Sequence, residues 1–376
     1  MVGGGEGAFI GAVHRQAARL DGEIELVCGA FSSDPERSAA TGRALSLPAA
    51  RCYPDYLTMF RAEAGLPADE RMQFVAIVTP NHLHLPVALA ALEHGFHVLS
   101  DKPATVSLEE CRRLAAALRA SGRLYALTHP YAAYPLVREA AARIAAGELG
   151  TIRKVVVEYV QGWLATPLER TGHKQASWRL DPARAGPSGC FGDIGVHAFQ
   201  LAEHVTGLEV TEICCELNRV VPGRALDDDG TALLRFDNGA HGVLLASQIS
   251  VGEENALTLR VYGEAAGLEW RQEEPNTLLV KRDGRPAERI RAGNAYLGPA
   301  AQQATRLPAG HPEGYIEAFA NLYREFAAAV RAFEAGERTA PALPGIREAL
   351  RGMAFLETAL AASASPAKWH RLEAPA

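Results

Sequence analysis

Gly3-Gly4-Gly5-Glu6-Gly7-Ala8, at the very start of the chain, decides how the rest is read. Gly3, Gly5 and Ala8 fit the pattern glycine-x-glycine-x-x-(glycine or alanine). That pattern makes a dinucleotide turn when a buried strand feeds a tight bend and then a helix, whose free backbone N–H groups receive a pyrophosphate. The helix is legible: Phe9, Ile10, Val13, Ala17 and Leu20 recur near helical spacing, and Asp21-Gly22 ends the run. The strand is not, because only Met1 and Val2 precede the turn. A parallel sheet without its middle strand leaves two neighbours with unpaired backbone groups, so the pattern predicts a truncated first strand and a native start upstream of Met1.

Working outward, Ile24–Phe31 reads as a second strand and Phe74–Thr79 as a fully buried one. Thr79-Pro80-Asn81 then opens a helix running to His94 and closed by Gly95, and Phe96–Leu99 is the next strand. Ser107-Leu108-Glu109-Glu110 has the spacing of a capping box and starts a helix that Ser121-Gly122 ends, before a strand Leu124–Thr128. Alternating strands and helices predict a doubly wound parallel sheet, with ligands at the carboxyl ends of its strands.

Beyond Pro130 the rhythm changes. A helix Pro135–Ala146, a strand Ile152–Val160, a loop rich in Gly, Pro and Trp to Pro187 and a helix Gly195–Val205 come first. Strand-like runs follow at Val210–Leu217, Thr231–Phe236, Gly242–Ile249, Thr258–Tyr262, Leu268–Arg271 and Leu278–Lys281, with Asp237-Asn238-Gly239 a hairpin signal. This predicts an α+β domain with a large, mostly antiparallel open sheet, whose uncovered face implies a second subunit, as a homodimer or homotetramer. After a helix Pro312–Phe333, the segment Gly336–Gly345 with Pro341 and Pro344 reads as a linker, and a last helix Ile346–Ala361 as returning to the first domain. The expected domains are residues 1–128, binding the dinucleotide, and 129–343, carrying substrate and subunit contacts.

Composition narrows the function. Lys+Arg 38 against Asp+Glu 44 gives a net charge of -6 with no basic run, which argues against nucleic acid. No stretch approaches the ~18 uncharged apolar residues of a membrane span, and no basic segment followed by an apolar one opens the chain. Cys28, Cys52, Cys111, Cys190, Cys214 and Cys215 lack the spacing of a zinc or redox motif, so no metal is expected and a reduced, cytoplasmic setting fits best.

Two clusters could carry chemistry. Asp101-Lys102-Pro103 directly follows a strand at the sheet's ligand-binding edge. An ordinary loop lysine is solvated, but this one stands where a bound cofactor would lie, beside a proline that fixes the backbone. In Gly192-Asp193-Ile194-Gly195-Val196-His197, a helix beginning near Asp193 would stack the carboxylate and the imidazole one turn apart. An aspartate there is often only a cap, yet glycines on both sides let a ligand approach. After the second strand, Ser32, Ser33 and Arg37 suit a 2′-phosphate, whereas Asp34 suits a ribose or caps the next helix, which leaves NAD and NADP both open.

With these residues the chain resembles the glucose-fructose oxidoreductase, inositol dehydrogenase and rhizopine-catabolism (Gfo/Idh/MocA) family. The likeness runs through the Gly3–Ala8 turn, Val78-Thr79-Pro80-Asn81-His82-Leu83-His84, Asp101-Lys102-Pro103, Trp178-Arg179-Leu180-Asp181-Pro182 and Gly192–His197. Asp101 departs from the family's usual glutamate, and the short first strand departs further. The resemblance implies a Rossmann domain holding NAD or NADP through Gly3, Gly5, Ala8, Phe9, Ile10, Ser32, Ser33, Arg37, Thr79, Pro80, Asn81, His84, Asp101 and Lys102. It implies a cis Lys102–Pro103 bond and hydride transfer from a secondary alcohol of a sugar or cyclic polyol. His197 would take the hydroxyl proton, with Lys102 as partner and Asp193 orienting the substrate. Trp163, Lys174, Trp178 and Arg179 in the long loop, with Tyr131 and His311, are the expected substrate contacts. Glycoside hydrolysis through transient oxidation on bound NAD, and dinucleotide sensing without catalysis, are the competing readings of the same fold.

Overall fold

Phe74-Val75-Ala76-Ile77-Val78 is apolar at every position, which suits a strand covered on both faces, and it lies inside a four-stranded parallel sheet. The computed structural model describes residues 1–337 and 343–373. It divides into two units, Met1–Thr128 with Phe319–Leu350, and His129–Ala318 with Arg351–Ala376.

In the first unit β1 (Val2–Gly3), β2 (Phe74–Val78), β3 (His97–Asp101) and β4 (Tyr125–Thr128) pair in that order, all parallel. The fold is a Rossmann-like α/β sheet, with helices α1 (Phe9–Leu20), α2 (Pro35–Ala44), α3 (Tyr56–Ala64), α4 (His84–Glu93) and α5 (Leu108–Ser121). Ser107 caps α5 by accepting from Glu110 N at 3.2 Å, and Gly122 ends it in the left-handed region at φ 61°. The expected strand Ile24–Phe31 is a correction: it is reduced to single bridges, Val2 with Ala30 and Gly29 with Cys52. Met1 N donates to Cys28 O (2.9 Å), Ala30 N to Met1 O (3.0 Å) and Gly3 N to Ala30 O (2.9 Å). Among the described residues, no strand pairs with those before Cys28.

The second unit holds a nine-stranded, mostly antiparallel sheet. Its strands are β5 (Ile152–Val160), β6 (Val210–Asn218), β7 (Asp229–Phe236), β8 (His241–Ser247), β9 (Ala256–Gly263), β10 (Gly267–Arg271), β11 (Thr277–Lys281), β12 (Glu288–Arg291) and β13 (His370–Arg371). They are ordered β12-β11-β10-β9-β5-β8-β7-β6-β13, and only β5 with β8 is parallel among these pairs. Alternation sets the faces: Ala232, Leu234 and Phe236 of β7 are buried, while Thr231 before them and Leu233 between them are exposed. The unit's helices are α6 (Pro135–Ala145), α7 (Lys174–Arg179), α8 (Pro182–Ala185), α9 (Val196–Thr206) and α10 (Pro299–Gln303).

Two long helices, α11 (Tyr315–Glu334) and α12 (Ile346–Ser363), correct the expected domain boundaries. From Phe319 onward α11 belongs to the first unit, and from Arg351 onward α12 belongs to the second. The reasons are chemical. Phe319, Tyr323, Phe326 and Phe333 form one aromatic stripe on α11. It meets His14 (centroids 4.9 Å from Phe319), Phe74 (5.2 Å from Phe326) and His97 (4.7 Å from Phe333). On α12 the buried Arg351 pairs with Glu203 and donates to Val210 O at 3.0 Å, while Phe355 stacks on Phe199 at 4.4 Å. Within the predicted linker, residues 338–342, including Pro341, lie outside the described residues; Pro344 O accepts from Leu127 N at 2.7 Å. No described helix is long and apolar enough to cross a membrane.

Burial pushes both His14 and His97 down to about 4 from an ordinary 6.5, so each is neutral in the folded chain. Leu124 N donates to His97 Nδ1 at 2.9 Å, a bond that needs the neutral ring. The unfolded chain therefore binds more protons between pH 6.5 and 4, and stability falls as pH falls through that window. Each histidine contributes a slope of up to about 1.4 kcal/mol per pH unit. Denaturant unfolding at a series of pH values should show His97→Asn, which keeps an acceptor for Leu124 N without titrating, with a shallower acid loss than the parent.

Candidate active site

The glycine-rich turn is built for a large anion. Gly3, Gly4 and Gly7 have φ values of 81°, 72° and 76°, which side chains other than glycine's rarely tolerate. A Cβ on Gly11 would lie 2.3 Å from Gly4 Cα, so α1 presses directly on the turn. No side chain caps the α1 N-terminus at Ala8, and Phe9 beside it is exposed. Just after β2, Thr79 Oγ1 is buried without a hydrogen-bond partner, and the Thr79 methyl lies 2.9 Å from where a Gly3 Cβ would stand. An uncapped helix start, a cradle that side chains would fill and an orphaned hydroxyl together fit a dinucleotide phosphate.

The other expected cofactor residues divide by what they do. Asp34 Oδ1 accepts from Glu36 N (2.9 Å) and Arg37 N (3.3 Å), so this carboxylate caps α2. Ser32 Oγ accepts from Asp34 N at 3.1 Å, while Ser33 and Arg37 are exposed. Pro80 precedes the short turn Asn81–Leu83, and Asn81 is buried. His84 sits between two carbonyls, with Nδ1 2.7 Å from Pro103 O and Nε2 2.9 Å from Thr79 O. Asp101 Oδ1 accepts from Lys102 N (2.9 Å) and Thr128 Oγ1 (2.8 Å), and the Lys102–Pro103 bond is cis.

In the second unit Asp193 does not open an ordinary helix. Phe191–Gly195 is a wide, π-type turn leading into α9, and His197 stands in the first turn of that helix. Asp193 Oδ2 accepts from Arg179 Nε at 3.2 Å and from Gln248 Nε2 at 2.9 Å. The Arg179 guanidinium lies over the Trp178 ring, 4.3 Å from its centroid, and 6.0 Å from that of Trp163. Thus Asp193, Arg179, Trp178 and Trp163 are brought together. Lys174, the first residue of α7, is exposed. His311 is exposed in a turn with Nδ1 near Pro308 O, and no hydrogen bond, ion pair or ring contact among the described residues joins it to the Asp193 cluster. α11 begins only at Tyr315, so His311 lies before that helix.

Tyr131 is buried, and its hydroxyl meets Tyr159 OH (2.5 Å) and Asn255 Nδ2 (3.4 Å) while its ring packs against His197. Asn255 Oδ1 accepts from Tyr159 OH (2.8 Å) and Gln161 Nε2 (2.7 Å), and Gln161 Oε1 from Trp163 Nε1 (3.0 Å). This chain of polar groups supports His197 from one side and Trp163 from the other. Sequence reasoning missed Gln248, Asn255, His129 and Asp227. The run Asp227-Asp228-Asp229 was the available signal: Asp227 accepts from Gly189 N and Phe191 N at 2.8 Å each, holding the start of the wide turn.

Known proteins share the family pattern and the fold of this chain. A model of the oxidoreductase family with an NAD-binding Rossmann fold matches residues 1–129, and one of the GFO/IDH/MocA C-terminal domain matches residues 137–269. An uncharacterised oxidoreductase of Bacillus subtilis, YfiI, is 34% identical over 335 residues, 88% of this chain and 85% of its own. The crystal structure of an inositol dehydrogenase homologue of Azotobacter vinelandii with NADH and myo-inositol has a TM-score of 0.93 at 36% identity, covering 99% of this chain and 96% of that one. An oxidoreductase of Sinorhizobium meliloti reaches 0.88 at 42% identity, covering 98% of each chain. The chain belongs to the Gfo/Idh/MocA family and is an NAD-binding oxidoreductase.

Thr79→Val tests the orphaned hydroxyl. Removing a buried group that has no partner leaves the unfolding midpoint no lower, while the loss of one hydrogen bond to the dinucleotide raises the NAD dissociation constant about 3- to 10-fold. Calorimetry and thermal melts of the same samples read both.

Proposed function

We propose that this protein interconverts a secondary alcohol and a ketone on a cyclic polyol or sugar, with NAD as redox partner. The observation that carries this reading is the held carboxylate. Asp193 is fixed through Oδ2 by Arg179 and Gln248, beside two tryptophans and just before His197. Aromatic faces suit the C–H face of a sugar or cyclitol ring, and a fixed carboxylate suits a hydroxyl. Arg179 already faces an anion, so its charge does not call for an anionic substrate. The inositol dehydrogenase homologue crystallised with myo-inositol supports the same substrate class.

The roles follow from donor and acceptor chemistry. His197 takes the hydroxyl proton and Asp193 accepts a hydrogen bond from the ring's hydroxyls. Lys102, following the strand end at Asp101, is the partner that shares the proton. Bound nicotinamide supplies the electron-pair acceptor for the carbinol carbon. A second copy of the chain is the proposed cover for the sheet face bearing Leu233 and Tyr262, which are 41% and 38% exposed.

Inositols, aldoses and anhydrosugars assayed by nicotinamide absorbance provide the test. With the best substrate, His197→Ala should lower kcat about 10²- to 10⁴-fold, with Lys102→Ala and Asp193→Asn also well below the parent. A parent enzyme that binds NAD but reduces it with none of these compounds, or variants that keep full turnover, would sink the reading.

A further inference from the structure

Two buried histidines from separate elements of the second unit meet face to edge. His129 precedes the short turn Pro130–Ala133, and His197 stands on α9. Their Nδ1 atoms are 3.2 Å apart and their rings stand at 89°, with 1% and 5% of each residue exposed. Two nitrogens at that distance share one proton, so one ring donates and the other accepts. The contact occupies His197 Nδ1, so in the proposed reaction Nε2 is the atom that exchanges a proton.

The surroundings fix the ring. Tyr131 stands edge-on to His197 at 4.9 Å and Tyr159 lies 6.4 Å away, tilted. Their hydroxyls bond each other and Asn255, and burial keeps both phenols neutral by raising their pKa. Asp193, on the turn before α9, acts as a charge on both phenols, and Arg179 is paired with it.

We propose that His129 is a positioning residue: its Nδ1 accepts the Nδ1–H of His197, holding His197 in the tautomer whose Nε2 carries the lone pair. This rests on the proposed function, in which His197 accepts the substrate's proton. Imidazole in water favours the opposite tautomer, so the required one needs an acceptor on the Nδ1 side. When the substrate O–H bond breaks and an Nε2–H bond forms, the resulting imidazolium still donates from Nδ1 to His129, now as a stronger, charge-assisted bond.

Nitrogen-15 histidine labelling of the full chain tests this, with long-range proton–nitrogen correlations reading each tautomer and His197→Gln assigning the signal. The expected parent spectrum shows His197 as Nδ1–H. His129→Phe should shift it to Nε2–H, and His129→Asn, whose side-chain oxygen replaces the acceptor, should keep it. In kinetics His129→Phe should lower kcat about 10-fold or more at a KM within about twofold, and His129→Asn should recover most of the loss. An Nε2–H parent, or a tautomer unmoved by His129→Phe, would overturn the proposal. If the tautomers behave as expected but no sugar or polyol is turned over, the placement of His129 stands and the reading of function fails.

Discussion

Asp227 holds the piece of chain that carries Asp193 and His197. A wide turn such as Phe191–Gly195 satisfies its own backbone less well than an α-helix does, and its first N–H groups are buried. The Asp227 carboxylate takes the one from Phe191 together with that of Gly189 just before the turn, and burial raises its pKa against the pull of those same bonds. Gly189 is required there, because a Cβ would lie 2.4 Å from Asp227 O. Beside it Asp228 pairs with the buried Arg224 at 3.1 Å and accepts from Val220 N and Val221 N, so the acidic run is anchored in turn. The wide turn, the carboxylate that Arg179 and Gln248 grip, and the imidazole after it all depend on this clamp.

The first unit answers a different constraint. Its first strand is two residues long, so the sheet alone covers little of the neighbouring chain. The aromatic stripe of α11 supplies packing instead, with Tyr323 OH 2.8 Å from His14 Nδ1 and Phe326 edge-on to Phe74. This burial keeps His14 neutral, and it lies behind the helix whose other end forms the glycine turn. Packing on one face of α1 thereby supports ligand chemistry at its tip.

Much of the architecture was legible locally. The strand Ile152–Val160, the capped helix ending at Gly122 and the hairpin at Asp237-Asn238-Gly239 occur where periodicity and turn chemistry put them. Of the candidate site, Asp193 with Trp178, Arg179 and Trp163 do gather. What local pattern lacks is the neighbour. Ile24–Phe31 has the composition of a strand, but a strand exists only with a partner alongside. Tyr131, an expected substrate contact, has its hydroxyl engaged by Tyr159 and Asn255 from distant positions, which no local pattern showed. His311 is exposed in a turn, and among the described residues no hydrogen bond, ion pair or ring contact joins it to the Asp193 cluster.

What the sequence by itself determined is therefore what short-range physics controls: glycines where the backbone must turn or approach closely, alternation that sets sheet faces, caps that start helices, and the residue types of a dinucleotide oxidoreductase. Tertiary structure alone decided which polar atoms face one another. It gave Asp193 to Arg179 and Gln248, His197 to His129, and the halves of α11 and α12 to different units. Those pairings join residues far apart in the chain, and a hydrogen bond depends on separations of a few tenths of an ångström that no local pattern encodes.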